Sequence, residues 1–144
     1  MKTKTNLITI VFASIFSTGL FTSCLKESIA NKMLDKLAVE SNKLCPMNVD
    51  YMTRCDSITH PEPLTLAYYY TLSATTVELD SMQMDWSLVK DQIISSIKTN
   101  RQVAPLLVFN IKFRHTYFDS EEQEIYKAEI SPEDYKRKKY SRSP

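Results

Sequence analysis

The chain has 144 residues, of which 24% are charged and 10% aromatic, and its formal net charge is +1. A chain with so balanced a charge has no bulk electrostatic attraction for nucleic acid, so we expect no nucleic-acid partner. Its one glycine, Gly19, disfavours the glycine-rich turns that hold phosphates and dinucleotides.

The first 23 residues have the three parts of a secretory signal peptide. A basic start is followed by an apolar run over residues 7–21 and by the small polar pair Thr22-Ser23. The apolar run has 15 residues and is interrupted by Thr, Ser and Gly, whereas a transmembrane helix needs roughly 20 predominantly apolar residues. We therefore predict an exported protein.

The segment Phe21-Thr22-Ser23-Cys24 resembles the lipobox of bacterial lipoproteins, with Phe21 where Leu is usual. The resemblance implies that the signal is cut before Cys24 and that Cys24 is acylated, and more than one acyl chain anchors a protein stably. Leu25 replaces the Asp that often retains lipoproteins in the inner membrane of enteric bacteria, so the resemblance favours the outer membrane. An ordinary secretory signal and an uncleaved anchor are the alternatives.

Four parts are expected along the chain: a signal peptide over residues 1–23, a lipidated tether over 24–28, one domain over 29–135 and a basic tail over 136–144. After removal of the signal, roughly 120 residues remain, enough for one hydrophobic core. The tail lacks an apolar face, so we expect it to be solvated. Contact with anionic head groups is the alternative.

Hydrophobic periodicity predicts an amphipathic helix from about Glu27 to Leu44, ended by Pro46. Two strands over residues 54–59 and 64–74 are predicted to form a hairpin. Residues 77–85 are expected to form a connection or a short strand.

The second half of the domain repeats this order. Helical spacing predicts an amphipathic helix from about Trp86 to Thr99, and alternation predicts strands over 106–118 and 123–130 that form a second hairpin. Ser131 has the chemistry of a helix cap before Pro132. The elements together predict an α+β fold with a four-stranded antiparallel sheet of two hairpins and two main amphipathic helices on one face.

The run from Asn42 to Ser57 resembles a segment in a group of small uncharacterised exported bacterial proteins, with the pattern Asn-Lys-x-x-Pro-Met-x-Val-Asp-x-x-Thr-Arg. In that group a Tyr-rich strand and a later Tyr-Asp hairpin follow, as do Tyr68-Tyr69-Tyr70 and Tyr117-Phe118-Asp119 here. Cys55 stands where Leu is usual. The group has no assigned activity, so the resemblance implies the fold and export alone.

Cys45 and Cys55 are candidates for a disulfide because they have nine residues between them in a chain expected to be exported. A bridge closing so short a loop stabilises a domain by roughly 2 to 3 kcal/mol. Two separate buried thiols are the alternative, since a free cysteine packs as a small hydrophobe.

No spacing in the chain predicts a metal site, a cofactor or a catalytic residue. Cys45, Cys55, His60 and His115 lack the close spacing of zinc ligands. We interpret His115, on an apolar strand face, as a hydrogen-bonded core or edge histidine. With two histidines and no nucleophile-elbow sequence, the chain is not expected to be an enzyme.

Tyr69 is the candidate for a binding surface, because it alternates away from Tyr68 and Tyr70 and exposed aromatic side chains are common in interfaces. A structural role is the alternative, since Tyr also favours strands. The function predicted is a membrane-anchored envelope lipoprotein that binds or helps assemble an envelope protein. The other hypotheses are an immunity or inhibitor lipoprotein that neutralises a periplasmic toxin or hydrolase, and an envelope hydrolase.

Overall fold

The computed structural model describes residues 7–136, and the side chains from residue 23 onward. The start of the predicted signal peptide and nearly all of the predicted basic tail lie outside these residues. The helices are α1 (Leu7–Asn42), α2 (Thr76–Ser81), α3 (Trp86–Thr99) and α4 (Pro132–Lys136), with a 3-10 helix at Ala104–Phe109. The strands are β1 (Met47–Asn48), β2 (Thr53–Glu62), β3 (Thr65–Leu72), β4 (Lys112–Phe118) and β5 (Glu124–Ile130).

The α+β class and both predicted hairpins are confirmed, but the sheet is not a four-stranded antiparallel one. It has five strands in the order β1-β2-β3-β4-β5, and its central pair, β3 with β4, is parallel. The connection from β3 to β4 is a long crossover with two α-helices and the 3-10 helix, which returns the chain to the end of the sheet where β3 begins. The extra strand β1 has two residues, too few for an alternation pattern to reveal.

Two segments differ from the sequence prediction because local hydrogen bonding overrides the hydrophobic pattern. Residues 76–81 form α2, since Thr75 and Glu78 make a reciprocal capping box. The start of the predicted strand 106–118 is instead a 3-10 helix, which ends where Asn110 adopts φ 61°. Strand β4 therefore begins at Lys112.

Helix α1 lies along strand β2, and two of its asparagine side chains accept hydrogen bonds from backbone amides of β2 and of the turn after it. The Asn42 side chain accepts from the Ile58 amide at 3.0 Å, and the Asn31 side chain accepts from the Leu64 amide at 2.8 Å. Such pairing blocks the open edge of a sheet. None of the helices in residues 7–136 is long and apolar enough to cross a membrane.

The turn between β4 and β5 is organised by the buried carboxylate of Asp119. It accepts from the Thr76 hydroxyl at 2.5 Å and from the amides of Glu121 and Gln123 at 2.9 Å each. The Thr76 hydroxyl and these amides hold the pKa of Asp119 below its usual value. The start of α2 is thus fixed to the second hairpin.

Candidate binding groove

The middle of the sheet carries a row of stacked rings on the face toward α3. Alternation along each strand turns Tyr68 and Tyr70 of β3, and His115 and Tyr117 of β4, to this face. The parallel register sets Tyr68 beside His115 and Tyr70 beside Tyr117, with ring centroids 4.6 and 4.7 Å apart. The Tyr70 hydroxyl lies 3.2 Å from His115 Nδ1.

Trp86, the first residue of α3, extends this row. Its ring lies 5.8 Å from that of Tyr117 and 4.4 Å from that of Tyr126 on β5. The Tyr126 hydroxyl donates to the Trp86 carbonyl at 3.2 Å. We call the six side chains the aromatic ladder: Tyr68, Tyr70, Trp86, His115, Tyr117 and Tyr126.

A groove with a volume of about 570 Å³ lies between α3 and the ladder residues of β3 and β4. Its α3 wall presents an apolar row and, beside it at intervals of four residues, the polar row Gln92, Ser96 and Asn100. The apolar row consists of Val89, Ile93 and Ile97. The opposite wall is β1 and the turn after it, with Met47, Val49 and Asp50.

Asp50 is the one charged side chain in this lining. Partial burial raises the pKa of its carboxyl, but hydrogen bonds from Met52 and Thr53 outweigh that effect and lower the pKa below its usual value. Both backbone amides donate to Asp50 Oδ1 at 2.8 Å. The groove therefore has a fixed negative charge at one rim.

The floor of the groove is neutral. Burial lowers the pKa of His115 to about 4, so its imidazole is uncharged near pH 7. Burial also raises the pKa values of Tyr68 and Tyr70, whose phenols stay protonated. Among the described residues, no hydrogen-bond partner reaches the buried His115 Nε2. The interpretation of His115 as a hydrogen-bonded core histidine fits its Tyr70 contact.

The structure disperses the other residues singled out in the sequence. Cys24 is exposed on α1, and His60 Nδ1 lies 2.6 Å from Asp35 Oδ1, away from the groove. Tyr69 is half-buried on the opposite face of the sheet, so its binding role stays a prediction. The described residues contain no group of three or more His, Cys, Asp or Glu placed to hold a metal ion.

Cys45 and Cys55 are brought together, with their sulfur atoms 3.9 Å apart. Sequence reasoning missed the groove itself, although it placed Tyr68 and Tyr70 on one face and found the apolar row of α3. The missing information was the parallel pairing of β3 with β4, which alone aligns the ladder.

The fold recurs in the solved structures of a secreted protein and of two secretion-system pilotins. A Pseudomonas aeruginosa protein classed as secreted is 20% identical, with a TM-score of 0.65 over 77% of this chain and 96% of its own. The pilotin EpsS of the Vibrio vulnificus type II secretion system is 12% identical, with a TM-score of 0.64 over 78% and 97%. The pilotin AspS from Vibrio cholerae is 12% identical, with a TM-score of 0.62 over 77% and 96%.

At such identities the likeness shows the fold alone. No curated protein is significantly similar to the chain in sequence. The sequence profile of a domain of unknown function, DUF8479, matches residues 28–127, most of the predicted domain. The chain belongs to the DUF8479 family.

Proposed function

We propose that the protein is a lipid-anchored module of the bacterial cell envelope that binds a partner protein in the groove and has no enzymatic activity. The observation that carries the proposal is an open groove with an aromatic, uncharged floor. Its neighbours in fold include two pilotins of type II secretion systems. That these pilotins belong to secretion systems supports a partner that is part of an envelope complex.

The surroundings of Cys24 support the anchor. Cys24 is exposed on α1, and Leu25 and Ile29 are 63% and 52% exposed one turn apart beside it. This apolar surface is suited to the bilayer next to an acylated cysteine. We expect the native protein in the outer-membrane fraction, and a variant in which an ordinary secretory signal peptide replaces residues 1–24 in the soluble fraction.

We assign the groove to an amphipathic helix of the partner. The strands beneath it, β3 and β4, are both interior, so a bound segment cannot satisfy its backbone by adding a strand there. A helix satisfies its own backbone and presents apolar side chains to the ladder. A Lys or Arg near one end would complement Asp50.

A photocrosslinking amino acid at Ser96 tests this assignment in intact cells. The matched control carries it at Lys127, which is exposed on the opposite face of the sheet. We expect one envelope protein to crosslink at Ser96 and not at Lys127, through a segment with helical apolar spacing. A synthetic peptide of that segment should bind the purified protein and quench or shift the fluorescence of Trp86, the one tryptophan in the chain.

The variant Ser96→Glu adds a second negative charge to the groove wall without altering the sheet. We expect it to weaken peptide binding at least tenfold, since burying an uncompensated charge is costly. Lys127→Glu is the control and should bind normally. Equal crosslinking at both positions, or unchanged binding by Ser96→Glu, would show that the groove is not the binding site.

A further inference from the structure

Two cysteines remain after Cys24 is assigned to the lipid anchor, and they lie in contact. Cys45 follows the end of α1 and is partly exposed, whereas Cys55 is buried in β2. Their sulfur atoms are 3.9 Å apart, and the Cys45 thiol is oriented to donate toward Cys55. Forming a disulfide would bring these sulfur atoms to about 2.0 Å from each other.

The nine residues between these cysteines form the β1 wall of the groove. Cys55 lines the groove itself, and its register partner across the hairpin is Met47. Strand β1 is attached to β2 through only two residue pairs in the described part of the chain. The wall therefore has weak support from the sheet, in contrast to the long helix α3 on the other side.

We propose that Cys45 and Cys55 form a disulfide in the envelope and that this bridge fixes the β1 wall of the groove. The part that concerns the groove deepens the proposed function and rests on it. The bridge would link the end of α1 directly to β2. Without it, the wall is held by the short β1 pairing, by the Asp50 turn and by hydrogen bonds from Ser73 to the Met52 carbonyl.

The oxidant is a protein disulfide of an exported thiol oxidase. The Cys45 sulfur attacks that disulfide, which forms a mixed disulfide and releases one oxidase thiol. Cys55 then loses its proton, and its sulfur attacks the Cys45 sulfur and displaces the second oxidase thiol. The two cysteines lose two electrons and two protons in total, and the oxidase disulfide becomes a dithiol.

The order of attack follows from burial. Cys45 is the more accessible sulfur, whereas burial and the nearby Cys45 raise the pKa of Cys55 to about 12. Because the thiolate is the nucleophile, Cys55 reacts poorly with an external disulfide. The Cys55 sulfur does not have to reach the oxidase, because the mixed disulfide that it attacks is on the neighbouring Cys45.

Peptide mapping tests the bridge on protein isolated from cell envelopes without reductant and alkylated at once. Trypsin cleaves after Lys43, Arg54 and Lys90, so the two cysteines fall on peptides 44–54 and 55–90. We expect these peptides to be recovered as one linked species that separates on reduction. Recovery of both as alkylated single peptides, even after incubation with oxidised glutathione, would overturn the proposal.

Thermal unfolding and acrylamide quenching of Trp86 test the effect on the wall, and neither needs a partner. We expect the bridged protein to melt roughly 10 °C higher than the reduced protein, with weaker quenching. Cys45→Ser, which changes the less buried cysteine, should resemble the reduced protein with and without oxidant. Equal quenching of the bridged and the reduced protein would disprove that the disulfide fixes the β1 wall. That outcome would not bear on whether the groove binds a partner protein.

Discussion

The two faces of the sheet come from the same strands and differ in what holds them together. On the face toward α3, the rings of the aromatic ladder stack on one another and are largely removed from water. On the outer face, Arg114 bridges Glu62 at 2.6 Å and Glu129 at 3.4 Å, and both acids are more than half exposed. Tyr69 lies on this outer face, whereas the residues before and after it in β3, Tyr68 and Tyr70, lie on the ladder side.

This difference teaches that aromatic content alone does not locate the site. Three consecutive tyrosines have nearly the same sequence context, but only Tyr68 and Tyr70 line the groove. On the ladder face, packing of the rings against one another and against α3 stabilises the fold. On the outer face, the ion pairs are screened by solvent and contribute little to the free energy of unfolding. Substitutions that are matched across the sheet should therefore have unequal effects.

The largest contrast is expected between Tyr70→Ala and Tyr69→Ala. Tyr70→Ala removes ring contacts with Tyr117 and His115 and leaves both nitrogens of His115 without a protein partner. We expect it to lower the free energy of unfolding by about 3 to 4 kcal/mol, against about 1 kcal/mol for Tyr69→Ala. Urea unfolding monitored by circular dichroism measures both, and equal losses would refute the contrast between the faces.

The next largest effect is a pH dependence from His115. Its pKa is about 4 in the folded protein and 6.5 when unfolded, so between these values the unfolded chain binds an extra proton. Stability therefore falls as the pH is lowered from 6.5 to 4, by roughly 3 kcal/mol for this group. Urea unfolding at several pH values measures the slope.

His115→Phe keeps an aromatic ring in the ladder and removes the titrating group. The slope between pH 6.5 and 4 should be flatter in this variant than in the native protein. Parallel pH profiles for the native protein and the variant would mean that His115 is solvated enough to take up a proton in the folded state.

The sequence predicted the elements of this fold better than their pairing. Trp86–Thr99 forms a helix at the predicted bounds because the apolar spacing and the Asp85 cap agree. The prediction of a strand from Leu106 was wrong at its start, because apolar residues of a 3-10 helix such as Leu106 also face the core, and Pro105 suits the first turn of that helix. Hydrophobic periodicity carries no information on which strands pair, so the alignment of the ladder residues could not be predicted from the sequence.

The motif that resembles other exported proteins proves to have structural contacts. Asn42 bonds the edge of β2, and Asp50 holds the turn after β1. Asp56 accepts from the Thr71 hydroxyl at 2.6 Å and from Arg54 Nε at 2.5 Å. These contacts give the motif a structural role, and Met47, Val49 and Asp50 of the same segment also line the groove.

A smaller loss of stability is expected from removing the hydrogen bond between the Tyr70 hydroxyl and His115 within the ladder. Tyr70→Phe keeps the ring and removes the hydroxyl that contacts His115 Nδ1. We expect a loss of about 1 kcal/mol in unfolding free energy. In combination with His115→Phe the loss should largely vanish, because a double-mutant cycle reports the coupling of the pair. Additive losses would mean that the two groups do not interact.

The smallest effect is expected on the outer face, from Arg114→Gln. The substitution keeps much of the side-chain stem and removes the ion pairs with Glu62 and Glu129. Because both acids are exposed, we expect a loss of no more than about 1 kcal/mol at low salt, and near zero in about 1 M salt. Groove binding should be unchanged. A larger loss that persists in salt would make the outer face as important to stability as the ladder and would remove the distinction between the two faces.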